Sequence, residues 1–304
     1  MGVDELVIVN NNIKRVNSSD MASSDSKKVI PTSSSFEAAC EILSSSPRVV
    51  NFVGGDGTFS DTLNEVLKVE PGFLDSSFVK LSPFGSGNDK YRFLEDNVNG
   101  GGVFRDDFLE VTINDVYKRF VFNVGGIGLD AQGVIEYDNL SRGFSSSLRY
   151  VLASARAIGK LNGYQGILKY DAKFFEKDNM SSKVDVIKPV MFLFMVGKYF
   201  GNGMPINEGA VFDDGNFESA YFSRGSNFSL YKSLAELSFL KKPQINNGLA
   251  SYFKHPLSRL DLSVLSYDDF YFQSDGEVLK DRECSPVPVK ELSVKPAGKV
   301  NYLV

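Results

Sequence analysis

VVNFVGGDGTFSDTLNEVL, residues 49–67, reads as a buried strand, a glycine turn and a helix in succession. Val49, Val50, Phe52 and Val53 are β-branched or aromatic, which suits a pleated, buried strand, and the run stops at Gly54-Gly55. Thr58 with Asp61 three residues later forms a capping-box pattern that predicts a helix from Phe59 to Lys68. Glycines at such a turn permit positive φ and remove the β-carbons that would hold a polyanion away from backbone N–H groups. The partial positive charge of a helix N-terminus falls at the same place. Asp56 is then an acid where phosphate is expected, which makes chemical sense if a divalent cation or a substrate hydroxyl joins it. On its own, a Gly-Gly-Asp-Gly turn is short enough to belong to any α/β protein.

Working outward, Leu6–Val9 is a first strand ending in Asn10-Asn11-Asn12, and Val29-Ile30 is a short second one after a loop rich in Ser and Asp. Pro31-Thr32-Ser33 leads into a helix over Phe36–Leu43. Downstream, Phe78–Leu81 is a strand that runs into a second glycine turn, PFGSGND, at 83–89. Alternating strands and helices with short turns predict an open, mostly parallel sheet, whose ligands lie beyond the carboxyl ends of its strands. The polar turns at Asn10, Gly54 and Gly85 all fall at such ends. After Gly100-Gly101-Gly102 the texture changes to short alternating strands: 108–113, 119–124, 166–171, 189–196, 217–223, 260–264 and 270–273. These predict an antiparallel, β-rich sandwich, interrupted by helices near 145–160 and 230–240. The last strand, 300–304, has no partner by sequence order. The expected domains are residues 1–106 with 293–304 returning to them, and residues 107–292.

The 304 residues are 42% hydrophobic and 23% charged, with 25 Phe and no Trp, the composition of a globular protein too long for one small core. The longest apolar run, 190–196, is far too short to span a bilayer, and no signal peptide opens the chain, so a cytoplasmic protein is expected. Cys40, Cys284 and a lone His255 make neither a zinc site nor a disulfide framework. A formal charge of −5 argues against nucleic acid as a partner and leaves room for a metal-bound nucleotide.

GGDGT at 54–58 followed by PFGSGND at 83–89 resembles the diacylglycerol kinase catalytic domain, a superfamily that also holds sphingosine and ceramide kinases and small bacterial lipid kinases. FVFNVGGIGLDAQ (120–132), KYFGNGMPINEGAVFDDGNF (198–217) and SDGEVLK (274–280) look like its later blocks in the same order, so the likeness covers nearly the whole chain. The resemblance implies an α/β nucleotide-binding domain followed by a β-rich domain, with the active site in the cleft between them, ATP and Mg²⁺ as cofactors, and a lipid hydroxyl as phosphate acceptor. It implies that Asn10, Thr32, Gly54, Gly55, Asp56, Gly57, Thr58 and Ser60, with Gly85, Ser86, Gly87, Asn88 and Asp89, surround the nucleotide. It places a structural Mg²⁺ at Val211, Asp214 and Asn216, with carbonyl oxygens from Val211 and Asn216, and a proton acceptor at Glu277. Asp56, Asp213, Asp214 and Asp275 offer carboxylates to a hard cation, and Glu277 or Asp56 could accept the hydroxyl proton. DDG at 213–215 and DGE at 275–277, taken singly, also read as ordinary hairpin turns. Asp130 of GIGLDA either binds the substrate head group, as in sphingosine-directed members, or satisfies backbone N–H groups at a strand end.

The chain departs from the family pattern at 10–14, where Asn-Asn-Asn-Ile-Lys replaces Asn-Pro-x-Ser-Gly, and at Ser60, Val196, Asn202 and Glu208. These changes bear on nucleotide affinity and substrate identity, and they keep a non-catalytic binding relative open. NAD kinase shares the Gly-Gly-Asp-Gly turn, but the second turn and the DGE block argue against it. Diacylglycerol is the default substrate and a sphingoid or ceramide-type lipid the alternative. A peripheral contact with the membrane surface is expected through 142–161, where Leu148, Leu152, Ala155 and Ile158 can share one helical face beside Arg149, Arg156 and Lys160. Phe239-Leu240-Lys241-Lys242-Pro243 is a second candidate, packing on the β-rich domain is the alternative for the first, and a homodimer stays open.

Overall fold

In the computed structural model, which describes residues 4–11, 27–85, 87–97, 101–141, 143, 145–161, 166–176, 179–240, 249–266 and 268–304, the chain forms two units. The first is Met1–Asp106 with Gly298–Val304, and the second is Asp107–Ala297.

Four apolar runs make the parallel sheet of the first unit: β1 (Glu5–Asn10), β2 (Lys27–Thr32), β3 (Val49–Gly54) and β4 (Phe78–Pro83), in the order β2-β1-β3-β4. Asn301–Leu303 of the chain's last strand add a fifth, parallel to Phe78–Lys80. That is the partner which sequence order alone could not supply. Leu6 to Val9 are buried without a break, because both faces of the sheet are covered. Val7, Val9 and Val53 form the core on one face, and on the other Phe52 meets Phe59 edge-on at 5.7 Å between ring centroids. Pro31 lies within β2, an edge strand, where a missing N–H costs no interior ladder bond.

The helices of this unit are α1 (Ser35–Ser45), α2 (Asp56–Val69), the single turn α3 (Phe73–Ser76) and α4 (Asp89–Asn97). The expected start of α2 at Phe59 is corrected: it begins at Asp56, its N-cap is Gly55, and no side chain caps it. Thr58 is already helical, and its hydroxyl instead accepts a hydrogen bond from Asn10 Nδ2 at 2.9 Å.

The second unit is antiparallel throughout. Its elements are β5 (Val103–Ile113, entering from the first unit), β6 (Tyr117–Val121), β7 (Val124–Gly128), α5 (Leu129–Asp138), α6 (Ser146–Lys160), β8 (Leu168–Glu176), β9 (Asn179–Ile187) and β10 (Pro189–Met195). Next come β11 (Tyr199–Phe200), β12 (Met204–Pro205), β13 (Glu218–Ser223), α7 (Asn227–Leu240) and β14 (Ala250–Tyr252). The chain ends with β15 (Leu257–Val264), β16 (Phe270–Ser274), β17 (Glu277–Val278), β18 (Pro288–Val289) and β19 (Glu291–Leu303).

One sheet runs β14-β13-β10-β7-β16-β17, and β19, β15, β8 and β9 follow each other in another, with β5 beside β19 and β6 beside β5. Strand β10 shows why they stack. Phe192 and Phe194 point into a core shared with Leu109, Tyr170, Leu260 and Leu292 of the other sheet. Leu193 and Met195, on the opposite face by the two-residue period, join a second core with Ile158 and Leu161 of the α6 end and Leu230 of α7. The apolar run 190–196 is thus a strand buried on both sides.

Two expectations for this unit change. The strand predicted at 119–124 is broken at Phe122-Asn123, for a reason given below. The stripe predicted on α6 is rotated: Ala153, Ala157 and Ile158 are buried with Leu161, while Leu148 is 44% exposed. Arg149 stacks on Tyr137 at 4.0 Å and donates to the carbonyl of Tyr137 at 2.8 Å, so it serves the fold.

Candidate functional site

In the first unit β2 lies on one side of β1 and β3 on the other, so the strand order switches direction between β1 and β3. At such a point the loops diverge and leave room for a ligand. Asn10 ends β1, Gly54 ends β3, and the Asn10–Thr58 hydrogen bond joins the two ends. The second glycine turn is stitched onto the first. Phe84 N–H donates to the Gly54 carbonyl at 3.0 Å. A β-carbon on Gly85 would sit 2.2 Å from Gly55 Cα, so glycine is needed there for backbone to meet backbone. Asn88, at φ 52, closes the turn with both ends of its amide: Oδ1 accepts from Gly85 N–H and Nδ2 donates to Gly85 O, each at 2.9 Å.

Asp56 opens α2 and is half-buried. Its carboxylate accepts from the N–H groups of Asp89 at 2.9 Å and Lys90 at 3.3 Å, capping α4. Thr32 is buried, and its hydroxyl accepts from Ser34 N–H and donates to Ser34 O at the entry to α1. Ser60 is fully buried in α2, Asp89 is 5% exposed, Gly57 is helical, and Gly87 packs against Asp56. Ser86 lies outside the described residues, as do Asn12 to Lys14. The residues present fit a phosphate group: a helix start without a side-chain cap, at a switch point, under glycines.

Lys90 carries no local signal of its role. Its ammonium is fully buried against the equally buried carboxylate of Asp106, with the rings of Phe93 and Tyr302 5.4 Å away. In a stretch written Asn-Asp-Lys-Tyr-Arg it reads as a solvated residue. Only the packing shows it holding the first turn of α4.

In the second unit, Asp275-Gly276 is the two-residue loop of the hairpin that pairs Ser274 with Glu277. Both loop residues have positive φ, 51° and 90°, the combination a type I′ turn requires. Asp275 Oδ1 accepts from the N–H groups of Asn123 at 2.9 Å and Val124 at 3.1 Å, and Oδ2 from that of Phe122 at 3.0 Å. This clamp is what breaks the strand at 122–123. Glu277 is exposed at the end of the hairpin.

Asp130 lies in the first turn of α5, 5% exposed. Oδ2 accepts from Gln273 Nε2, and Oδ1 is a buried oxygen without a hydrogen-bond partner. Burial pushes this carboxyl up to about 7, against the lowering effect of the Gln273 hydrogen bond. Gln273 Oε1 in turn accepts from Gly276 N–H at 3.0 Å, so one amide ties Asp130 to the hairpin that carries Glu277. Gln273, 1% exposed and inside an apolar strand, went unnoticed in the sequence; a buried amide in a strand leading into Asp-Gly-Glu was the available signal.

The loop before β13 carries the expected cation set. Asp213 and Gly215 have positive φ, and Gly215 N–H donates to the buried carboxylate of Asp107 at 2.9 Å. Asp214 Oδ1 accepts from Asn216 N–H at 2.9 Å, and Val211 is 58% exposed. Among the described residues no three His, Cys, Asp or Glu side chains cluster as a metal site. One carboxylate with backbone carbonyls on an exposed turn is still an oxygen-only set, which suits Mg²⁺ or Ca²⁺. Val196, where the family pattern has Asn, packs in the core, and Asn123 from the broken strand supplies the amide to that turn through Nδ2 and the carbonyl of Tyr199, 2.8 Å apart.

No protein-family model and no curated protein sequence matches this chain. Solved structures do. One is described as a diacylglycerol kinase from Bacillus anthracis strain Sterne: 14% identity, 99% of this chain and 96% of that one covered, TM-score 0.62. Two structures of candidate diacylglycerol kinases from the same organism cover the same shares, with 14% identity and TM-score 0.64, and 15% identity and TM-score 0.60. Along nearly its whole length, then, this chain has the fold of bacterial proteins described as diacylglycerol kinases.

Proposed function

We propose that this protein is a kinase of a lipid hydroxyl that uses ATP and Mg²⁺, with diacylglycerol the default acceptor and phosphatidate the product. The observation that carries the reading is the joining of two glycine turns at the switch point of a parallel sheet, in a chain whose fold is shared with proteins described as lipid kinases. ATP would supply the phosphoryl group, and Mg²⁺ would neutralise charge on it.

The chain's own contribution is positional. Gly54 to Thr58 offer backbone N–H groups and a helix N-terminus to the phosphates, and the Asn10–Thr58 bond fixes the two strand ends. Phosphoryl transfer asks for alignment and charge stabilisation more than covalent participation, and stitched turns of this kind limit backbone motion. Glu277 is the assigned proton acceptor. It stands on a tight hairpin whose neighbour Asp275 is locked by three N–H groups, so the acid is held on a rigid base. Val211, Asp214 and Asn216 would hold the structural cation. A sphingoid or ceramide-type acceptor is the alternative for Asp130, a buried acid able to meet a polar head group. A binding relative without catalysis is the second reading, favoured by Asp56, Thr32 and Asp275 all being engaged by backbone groups.

The test is transfer of labelled γ-phosphate from ATP and Mg²⁺ into a total lipid extract. A labelled phospholipid that disappears with Glu277→Gln, while ATP still raises the thermal midpoint, is the expected result. ATP binding without label in the organic phase would overturn the kinase in favour of the binding relative.

A further inference from the structure

Strand β9 ends its sheet, and among the described residues it is paired on one side only, with β8. The other strands at sheet ends are short or blocked: β2 carries Pro31, β6 has five residues, β14 three and β17 two. β9 has nine, with neither proline nor glycine, and its register against β8 runs from Asn179 to Ile187 without a bulge. A long, regular edge of this kind is a template for another strand. Val184 and Val186 are 56% and 54% exposed along it. Backbone groups of a strand point alternately to its two sides. Val186 N–H donates to its neighbour's side chain, Asp185 Oδ1, at 2.8 Å, which marks the even-numbered residues as those whose backbone groups turn away from β8.

Two charges decide what can pair there. Lys183 and Asp185 are both exposed and share the face on which β8 sets Ala172 and Tyr170 opposite them. Lys183 donates to the Tyr170 hydroxyl, and among the described residues no salt bridge holds either charge. A lone charge on an edge bars a neighbouring strand, unless that strand brings the opposite charge to the same place. The segment Ser182-Lys183-Val184-Asp185-Val186 does so for itself. When two copies pair antiparallel about a two-fold axis at Val184, Lys183 of each opposes Asp185 of the other. The outward backbone groups of residues 182, 184 and 186 then meet in about six hydrogen bonds. Val186 N–H exchanges the Asp185 carboxylate for a carbonyl of the other copy, which releases that carboxylate to the lysine. On the opposite face the valines of both copies close into one apolar patch. Moving the axis to Lys183 or to Asp185 sets like charges against one another, so the sequence selects a single register.

We propose that this protein forms a two-fold dimer in which β9 pairs with β9 of a second copy, in the register centred on Val184, and continues the sheet from one subunit into the other. The homodimer left open by the sequence thereby gains an interface. The inference stands apart from the kinase reading, since no residue of either glycine turn or of the Asp275 hairpin takes part in it.

The experiment is sedimentation equilibrium of the full chain from about 1 to about 100 μM, the range in which an interface of modest size dissociates. The mass is expected to move from that of one chain to that of two. Lys183→Asp and Asp185→Lys should each raise the dissociation constant about tenfold or more, because both cross-strand pairs become like-charged. Mixed in equal amounts, the two variants should dimerise again, since each offers the charges the other lacks. A wild type that stays monomeric, or a dimer that both variants retain, would overturn the interface. So would a mixture that fails to recover while both variants keep the thermal midpoint of the wild type. Should a variant fold poorly, amide exchange of the wild type gives the answer. The N–H groups of Ser182 and Val184 are expected to exchange more slowly as the concentration rises, and exchange that ignores concentration would remove the pairing.

Discussion

Asp56-Gly57 in the first unit and Asp275-Gly276 in the second are the same dipeptide put to one purpose by different backbones. The first opens a helix, and the second turns a hairpin with both residues at positive φ. In each the carboxylate reaches across to backbone N–H groups far away in sequence: those of Asp89 and Lys90 for Asp56, and those of Phe122, Asn123 and Val124 for Asp275. A carboxylate accepts well from N–H groups because it offers charge and several lone pairs, so it can close a helix start or a broken strand that no ladder can satisfy. An acid next to glycine in a family motif is therefore a clamp as well as a candidate for chemistry. The two clamps close different breaks in the backbone ladder, a helix start and an interrupted strand, and the cost of losing each can be measured.

The largest effect is expected at Asp275. Asp275→Ala leaves the N–H groups of Phe122, Asn123 and Val124 without their acceptor, and at roughly 1.5 kcal/mol or more for each charge-assisted bond the loss is about 4–6 kcal/mol. Denaturant unfolding would show it as a lower midpoint with an unchanged slope. A loss below about 1 kcal/mol would mean that the broken strand holds itself.

Asp130 sharpens the comparison from the other side, as an acid with one buried oxygen lacking a partner. Its folded-state pKa of about 7 lies above the ordinary carboxyl value of 3.8. The folded state therefore keeps a proton that the unfolded chain gives up, and stability falls as pH rises from about 4 to about 7, then levels off. The full penalty is on the order of 4 kcal/mol. Asp130→Asn should flatten that slope and make the protein more stable at pH 8. An unchanged pH profile in the variant would show the carboxyl ionising normally in the fold.

The parallel sheet was legible because β-branched runs stop at glycine or asparagine, and the sheet order then follows from short connections. The same pattern located the turns at Asn10, Gly54 and Gly85. It could not show that Gly85 is glycine because Gly55 lies against it, nor that Thr58 answers Asn10 rather than capping α2, since both are contacts between segments distant in sequence. Helices α4 and α5 were missed. Their starts are capped by Asp56, from another turn, and by Gly128 at φ 91, so no local Ser or Thr signal announces them. Lys90 and Gln273 were invisible for a related reason: a polar residue reads as surface until its partner, Asp106 or Asp130, is found beside it.

Asp56 offers the smallest expected change in stability and the sharpest separation of clamp from chemistry. Because Asp56 caps α4, Asp56→Ala costs about 2 kcal/mol and confounds lost chemistry with lost stability. Asp56→Asn is the better probe. The amide oxygen can keep one of the two N–H bonds, while the amide nitrogen cannot accept the other, so a loss of about 1 kcal/mol is expected. The same change removes the negative charge that a cation or a substrate hydroxyl would need. If Asp56 takes part in transfer, Asp56→Asn loses labelled product far beyond what the small drop in midpoint explains. If it is only a cap, activity follows stability, and warming the wild type to the same folded fraction reproduces the loss. The second outcome would leave Glu277 as the acid assigned to the chemistry and make the Asp-Gly pair of the first unit, like that of the second, a device of the fold.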